Sequence, residues 1–348
     1  MKGLILAAGH GTRLRPLTFA RPKPVIRLAG KPIIAYAVEN LRAAGVEEIA
    51  VVVSPKTKDH VAQALEGEEV SFVVQENPEG LAHAVAVARD WLGDAEFVLY
   101  LGDNLFENGI KALVERFRAE RPAAALSLVE VEDPRQFGVA VIEDGRIVRL
   151  LEKPKAPPSN LAVAGVYAFT PAVHEVIAKL KPSARGEYEI TDAIQGLIDR
   201  GERVLGVPVE GWWKDTGRPE DLLEANRLLL EKLSPRQDGE VTKSELLGPV
   251  VVEAGAKIEH ARILGPAYIG KDVVVKNAYV GPYTSLGPEA RVEEAEVEHS
   301  VLEDRAVLEG VRIFGSLLGV GATVRQQEAR PKTPRLILGD LSRVEVPG

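Results

Sequence analysis

The segment Leu6-Ala7-Ala8-Gly9-His10-Gly11-Thr12-Arg13 follows a short apolar run at the start of the chain. Glycines let a backbone approach a phosphate without a Cβ clash, and their N–H groups can face its oxygens. Arg13 offers a planar fork of donors, and Lys23, ten residues later, adds a second cation. Two cations beside a glycine loop suit a triphosphate, whose leaving pyrophosphate carries most of the charge. Pro16, Pro22 and Pro24 favour a preorganised loop over a freely solvated one. The third glycine of a dinucleotide fingerprint is missing, and no Gly-Lys-Ser/Thr follows, so dehydrogenase and P-loop ATPase readings fall.

Two carboxylates have the chemistry for Mg²⁺, which prefers oxygen ligands and phosphate co-ligands. Asp103 follows Gly102, and Asp215 precedes Thr216-Gly217. They lie 112 positions apart, so spacing alone does not pair them, and singly each reads as a turn cap. Glu152-Lys153, taken alone, is an ordinary surface pair. Trp212 and Trp213 suit either a sugar-stacking platform or a core, with a core role first for at least one. The sequence has no cysteine, which removes disulfides, thiolate nucleophiles and iron–sulfur clusters together. None of the 6 histidines makes a convincing catalyst.

The elements that must position these groups can be read from periodicity. Apolar runs at Lys2–Ala7, Glu48–Val53, Ser71–Gln75 and Phe97–Leu101 alternate with helical spacing at Ile33–Ala44, Asp59–Leu65 and Leu81–Trp91. This order predicts an α/β, doubly wound sheet, with ligands gathered outside the carboxyl ends of its strands. Further strands are expected at Ala123–Val131, Gly138–Ile142, Arg146–Glu152 and Leu161–Phe169, which make the sheet mixed. Helices follow at Ala172–Leu180, Ile190–Arg200 and Glu220–Lys232. The polar stretch 234–239 reads as a linker.

Beyond it, fourteen large aliphatic residues from Val252 to Val324 recur every five or six positions, often next to a small residue. That period fits neither an amphipathic helix nor a simple strand. It predicts a hexapeptide-repeat left-handed β-helix, with one inward aliphatic per face and roughly four to five coils. The expected division is a sheet domain over 1–236 and the β-helix over 240–348.

The 348 residues carry 43 Lys+Arg against 51 Asp+Glu, a formal net charge of −8. A nucleic-acid partner is therefore not expected, since that usually needs a basic surface. The opening run is too short for a signal peptide, and no run of ~18 apolar residues occurs. A cytoplasmic protein without a membrane partner is expected.

Taken jointly, the motifs resemble the sugar-1-phosphate nucleotidylyltransferases. The resemblance rests on Gly9-His10-Gly11-Thr12-Arg13-Leu14-Arg15-Pro16-Leu17, Pro22-Lys23-Pro24, Gly80-Leu81-Ala82-His83-Ala84, Leu101-Gly102-Asp103-Asn104 and Glu152-Lys153-Pro154. Gly186-Glu187-Tyr188-Glu189-Ile190-Thr191-Asp192 and Trp213-Lys214-Asp215-Thr216-Gly217 extend it, and the repeat tail with Leu338-Gly339-Asp340-Leu341-Ser342 is similar to long-form members of the thymidylyl branch. The resemblance implies that Leu6, Ala8, Gly9, Gly11 and Thr12 bind nucleotide, with Gln75 and Gly80 reading the base. It places Arg13, Lys23 and Lys153 at the reacting phosphates. Asn104, Gly138, Glu152, Lys153, Val163 and, more loosely, Arg185 would meet the sugar phosphate. Asp103 and Asp215 would hold Mg²⁺.

The activity so implied is transfer of a nucleotidyl group from dTTP to glucose 1-phosphate, giving dTDP-glucose and pyrophosphate. Its partners would be a nucleoside triphosphate and a sugar 1-phosphate, in a homo-oligomer packed through the coils. Pro24 stands where many short thymidylyl members carry Gln, which keeps UTP, or GTP with mannose 1-phosphate, as alternatives. A silent sugar-nucleotide sensor and a β-helix acyltransferase are the competing classes. The first is disfavoured by the presence of Arg13, Asp103 and Lys153, the second by the shortness of the tail.

Overall fold

The computed structural model describes residues 1–9 and 11–326. His10 and the closing Leu338-Gly339-Asp340-Leu341-Ser342 motif lie outside them. Packing divides the chain into two units. One joins Met1–Gly9 to Ile33–Asp215, and the other joins His10–Pro32 to everything from Thr216 on.

The first unit is built on a nine-stranded mixed sheet. Lys2–Leu6 lies at its centre, parallel to Ile49–Val53 on one side and to Phe97–Leu101 on the other. Ser71–Val74 continues the parallel half. Leu161–Phe169 then runs antiparallel to Phe97–Leu101, and Gly138–Glu143 with Arg146–Glu152 closes that edge. The central strands are buried on both faces, which explains their unbroken Leu/Ile/Val character. The Leu81–Trp91 helix expected from sequence is two helices, Leu81–Val87 and Arg89–Leu92, separated at Ala88. The Lys111–Glu120 helix and the Val204–Pro208 strand went unread in the sequence.

A two-stranded ladder completes this unit: Trp213 pairs with Phe106, and Lys214 with Leu105. It joins segments remote in sequence, just beyond the carboxyl end of Phe97–Leu101.

In the second unit, short strands stack into three parallel sheets of six, six and five strands, a left-handed β-helix. All fourteen predicted aliphatics fall into its three in-register columns. Val252, Ile269, Leu286, Leu302 and Leu318 form one. Ile258, Val275, Val292, Leu308 and Val324 form the second. Ile263, Val280, Val297 and Ile313 form the third. The 234–239 stretch is not wholly linker, because Arg236–Gln237 pairs with Val251 and Val252 as the first rung. Gln237 occupies a column position that holds aliphatics in later coils, so the period is silent there.

Leu286 is fully buried in mid-stack, whereas Val324, in the last strand among the described residues, is exposed. Leu286→Ala should cost about 2–5 kcal/mol by lost burial and a cavity, and Val324→Ala about 0.5 kcal/mol or less. Urea unfolding of the two variants checks this; equal losses would contradict a core that runs as three columns.

Candidate active site

The carboxyl end of Lys2–Leu6 sets the first group. Gly102 N–H donates to Leu6 C=O at 2.9 Å, and a Cβ on Gly102 would lie 2.9 Å from that same oxygen. Glycine therefore lets two strand exits run side by side. Leu6, Ala8 and Gly9 sit at this exit, and Asp103 follows directly.

Asp103 is held by a relay of side chains. Asn104 Nδ2 donates to Asp103 Oδ1 at 2.8 Å, and Asn104 Oδ1 accepts from Trp213 Nε1 at 2.7 Å. Asn104 is buried, and Gly165, with φ +74°, leaves room for its amide. Tyr100 Oη donates to Asn104 C=O at 3.2 Å and accepts from Asn40 Nδ2 at 3.0 Å. Burial raises the Tyr100 phenol well above its ordinary value, with the Asp103 charge a smaller contribution in the same direction. Because Lys214 pairs with Leu105, Asp215 directly follows one strand of this ladder while Asp103 stands two residues before the other. Trp213 has a structural role there: its ring meets Phe137 edge-on at 5.4 Å while its N–H holds Asn104. Glu107, unread in the sequence, fixes the start of the ladder by accepting from Trp212 N–H at 3.0 Å.

A second cluster gathers Gly138, Glu152, Val163 and Thr191. A Cβ on Gly138 would lie 2.9 Å from Thr191 Cγ2, 3.6 Å from Val163 Cγ2 and 3.7 Å from Glu152 Oε2. Thr191 Oγ1 donates to Glu152 Oε2 at 3.1 Å. Arg185 Nη1 donates to Glu152 Oε1 at 3.1 Å, and Lys153 Nζ stands 3.5 Å from the same oxygen. The two cations and Glu152 therefore share one spot. Burial, and then the Glu152 charge, raise the Glu189 and Asp192 carboxyls. In the sequence Thr191 is one residue of the 186–192 motif, and its contact with Glu152 exists only in three dimensions.

The third cluster is Gln75 and Gly80. Gln75 is buried, with Nε2 3.0 Å from His83 Nδ1, which accepts from it, and 3.5 Å from Gly80 C=O. Gly80 has φ +113°, and a Cβ there would come 2.5 Å from Tyr188 C=O and 2.7 Å from Tyr188 N. Only glycine lets residues 79–82 run against Tyr188. His83 and Tyr188 are the members that sequence reasoning did not assign.

The remaining predicted residues are in the second unit. Gly11, with φ +59°, precedes the single turn Thr12–Leu14, and its C=O accepts from Thr18 Oγ1 at 2.8 Å. Leu14 is buried while Arg13 is exposed on the same turn. Lys23 is nearly buried, and a Cβ on Gly11 would lie 3.3 Å from Lys23 Cβ, so these two belong to one loop.

The nucleotidyl transferase family profile matches residues 2–232. A glucose-1-phosphate thymidylyltransferase of Streptomyces griseus is 46% identical over 99% of both chains. The chain belongs to the sugar-1-phosphate nucleotidylyltransferases. Another relative, the UTP–glucose-1-phosphate uridylyltransferase AglF of Haloferax volcanii, is 40% identical over 67% of this chain and 98% of its own. The crystal structure of a UDP-glucose pyrophosphorylase with UDP-glucose aligns at TM-score 0.59 and 29% identity, covering 66% of this chain and 98% of that one. The sheet is thus that of a nucleotidylyltransferase. No helix among the described residues is long and apolar enough to cross a membrane.

Gly165→Ala tests the relay. The new Cβ would lie 2.9 Å from Asn104 Oδ1 on a left-handed backbone, so Asn104 must shift and release Trp213 Nε1. Turnover should fall at least about tenfold, with altered tryptophan fluorescence, for a backbone cost of only about 1–2 kcal/mol. Unchanged turnover would show that Asp103 does not depend on its neighbours for placement.

Proposed function

We propose that this chain transfers a thymidylyl group from dTTP to glucose 1-phosphate in a Mg²⁺-dependent reaction, releasing dTDP-glucose and pyrophosphate. What supports this reading is the ladder that pairs Lys214, the residue before Asp215, with Leu105, two residues after Asp103, a pairing that sequence spacing could not reveal. The catalytic part is taken as 1–236 and the β-helix as 240–348.

The donor set fits Mg²⁺. It consists of two carboxylates, and among the described residues no group of three His, Asp or Glu could hold a metal. Such a site suits an ion that completes its shell with substrate phosphates and water. Bound by Asp103 and Asp215, Mg²⁺ would neutralise charge on the two phosphates. The chain's own groups do the rest. Backbone N–H groups of Gly9, Gly11 and Thr12, after Leu6 and Ala8, receive the triphosphate. Arg13 and Lys23 stabilise the charge on the departing pyrophosphate. Gln75 offers both a donor and an acceptor to a pyrimidine edge, and the backbone at Gly80 approaches the ring. Asn104, Glu152 and the backbone at Val163 orient the sugar over Gly138, while Lys153 and Arg185 take its phosphate. A phosphate oxygen of the sugar attacks the α-phosphorus in line. The bond from the α-phosphorus to the bridging oxygen breaks, and its electron pair leaves with pyrophosphate. The attacking oxygen is already ionised, so no general base is needed.

UTP is the second reading, supported by the uridylyl-transferring relative and by a Gln75 amide that suits uracil as well as thymine. Pyrophosphate release should be assayed over dTTP, UTP and GTP with glucose 1-phosphate and mannose 1-phosphate. We expect dTTP with glucose 1-phosphate to lead; one methyl group in a fitted pocket discriminates by about 10- to 200-fold. Lys153→Ala and Arg13→Ala should each lower turnover by about 10²-fold or more. Near-normal turnover in both variants would end the assignment.

A further inference from the structure

The segment 10–32 carries Gly11, Arg13 and Lys23, and it packs in the same unit as the β-helix coils. Its anchors are specific. Arg21 Nη1 donates to Asp304 Oδ2 at 3.0 Å. Arg27 Nε stands 3.2 Å from Asp304 Oδ1, a charge contact without hydrogen-bond alignment, since that oxygen has no hydrogen-bond partner. The Arg27 backbone N–H donates to Glu303 Oε1 at 2.8 Å. Two residues on, Ala29 N–H donates to Asn226 Oδ1 at 2.9 Å, and Asn226 in turn donates to Tyr283 C=O at 3.1 Å.

The two acids are anomalous for a coil. Leu302 is an inner column residue, in register with Leu286 and Leu318. The residue after it is Glu303, whereas Gly287 and Gly319 follow the column residue in the adjacent coils. Glu303 and Asp304 are only 4% and 8% exposed. Burying adjacent carboxylates costs free energy that coil stacking does not require. Burial pushes the Glu303 carboxyl up to about 7, against the pull of the Arg27 N–H, and its Oε2 has no hydrogen-bond partner. What the pair does hold is the phosphate loop's far end.

We propose that Glu303 and Asp304 are positioning residues for nucleotidyl transfer: through Arg27 and Arg21 they hold the 10–32 segment, and with it Arg13 and Lys23, in the conformation that receives the triphosphate. The inference rests on the reading given under Proposed function. It makes the β-helix a working part of the nucleotide side of the reaction, independent of any chemistry of its own. A misplacement of about 1 Å in such a loop can cost on the order of 10²-fold in rate.

The test uses the full chain and steady-state kinetics for both substrates. Wild type comes first: if no triphosphate and sugar 1-phosphate pair is turned over, the functional reading fails. Given an active wild type, Asp304→Asn and Glu303→Gln should each lower kcat/KM for the triphosphate about tenfold or more. The KM for sugar 1-phosphate should stay within about twofold, and the melting midpoint within a few degrees. Arg21→Met should reproduce the defect from the loop side, and it carries the test if the β-helix variants fail to fold. Triphosphate kinetics within about twofold of wild type in the folded variants would overturn the proposal. So would an equal loss for both substrates together with a lowered melting midpoint, which is the signature of structural support alone.

Discussion

The ladder between Leu105–Phe106 and Trp213–Lys214 is two residue pairs long, and the chemistry of the sheet unit depends on it. Asp215 directly follows its second strand, and Asp103 stands two residues before its first. The ladder also delivers Trp213, whose indole N–H fixes the amide that fixes Asp103. Each link is a buried or half-buried polar group with its partner in place. Removing one partner leaves the next unsatisfied, a cost of about 1–3 kcal/mol that would be felt as movement of the carboxylate. Glycines at 102 and 165 make the approach possible, because a Cβ at either would lie within 3.0 Å of the group it serves.

Two anions that repel each other have to be brought to bonding distance in this family's reaction. The arrangement of charge answers that need without a covalent nucleophile. Lys153 and Arg185 flank Glu152 in one cluster of the sheet unit. Arg13 and Lys23 ride on a loop that packs with the coils, where Asp304 draws on Arg21 and Arg27 instead.

Much of this was legible in the sequence because it is periodic. The five-to-six-residue interval is the physical repeat of one coil face, so all fourteen aliphatics landed in columns. The strands of the sheet were legible as apolar runs ended by glycine. What escaped has no period. Gln237 opens the first rung with a polar residue, and the two-residue ladder strands are too short to show alternation. The Lys111–Glu120 helix buries only Leu113, Val114 and Phe117, a narrow stripe among charges. Thr191, His83, Tyr188 and Glu107 are ordinary residues in sequence, and their contacts exist only once remote segments meet. The functional residues themselves were read through a family resemblance; spacing alone would have left Asp103 and Asp215 as turn caps.

A double-mutant cycle on Asp103→Asn and Asp215→Asn, read as kcat/KM at saturating Mg²⁺, tests the central claim most directly. If both carboxylates serve one cation, each single change removes most of the function, and the double variant is no worse than the poorer single by more than about threefold. Losses that multiply, with the double variant falling by the product of the two singles, would mean that the two acids act independently and that no shared site exists.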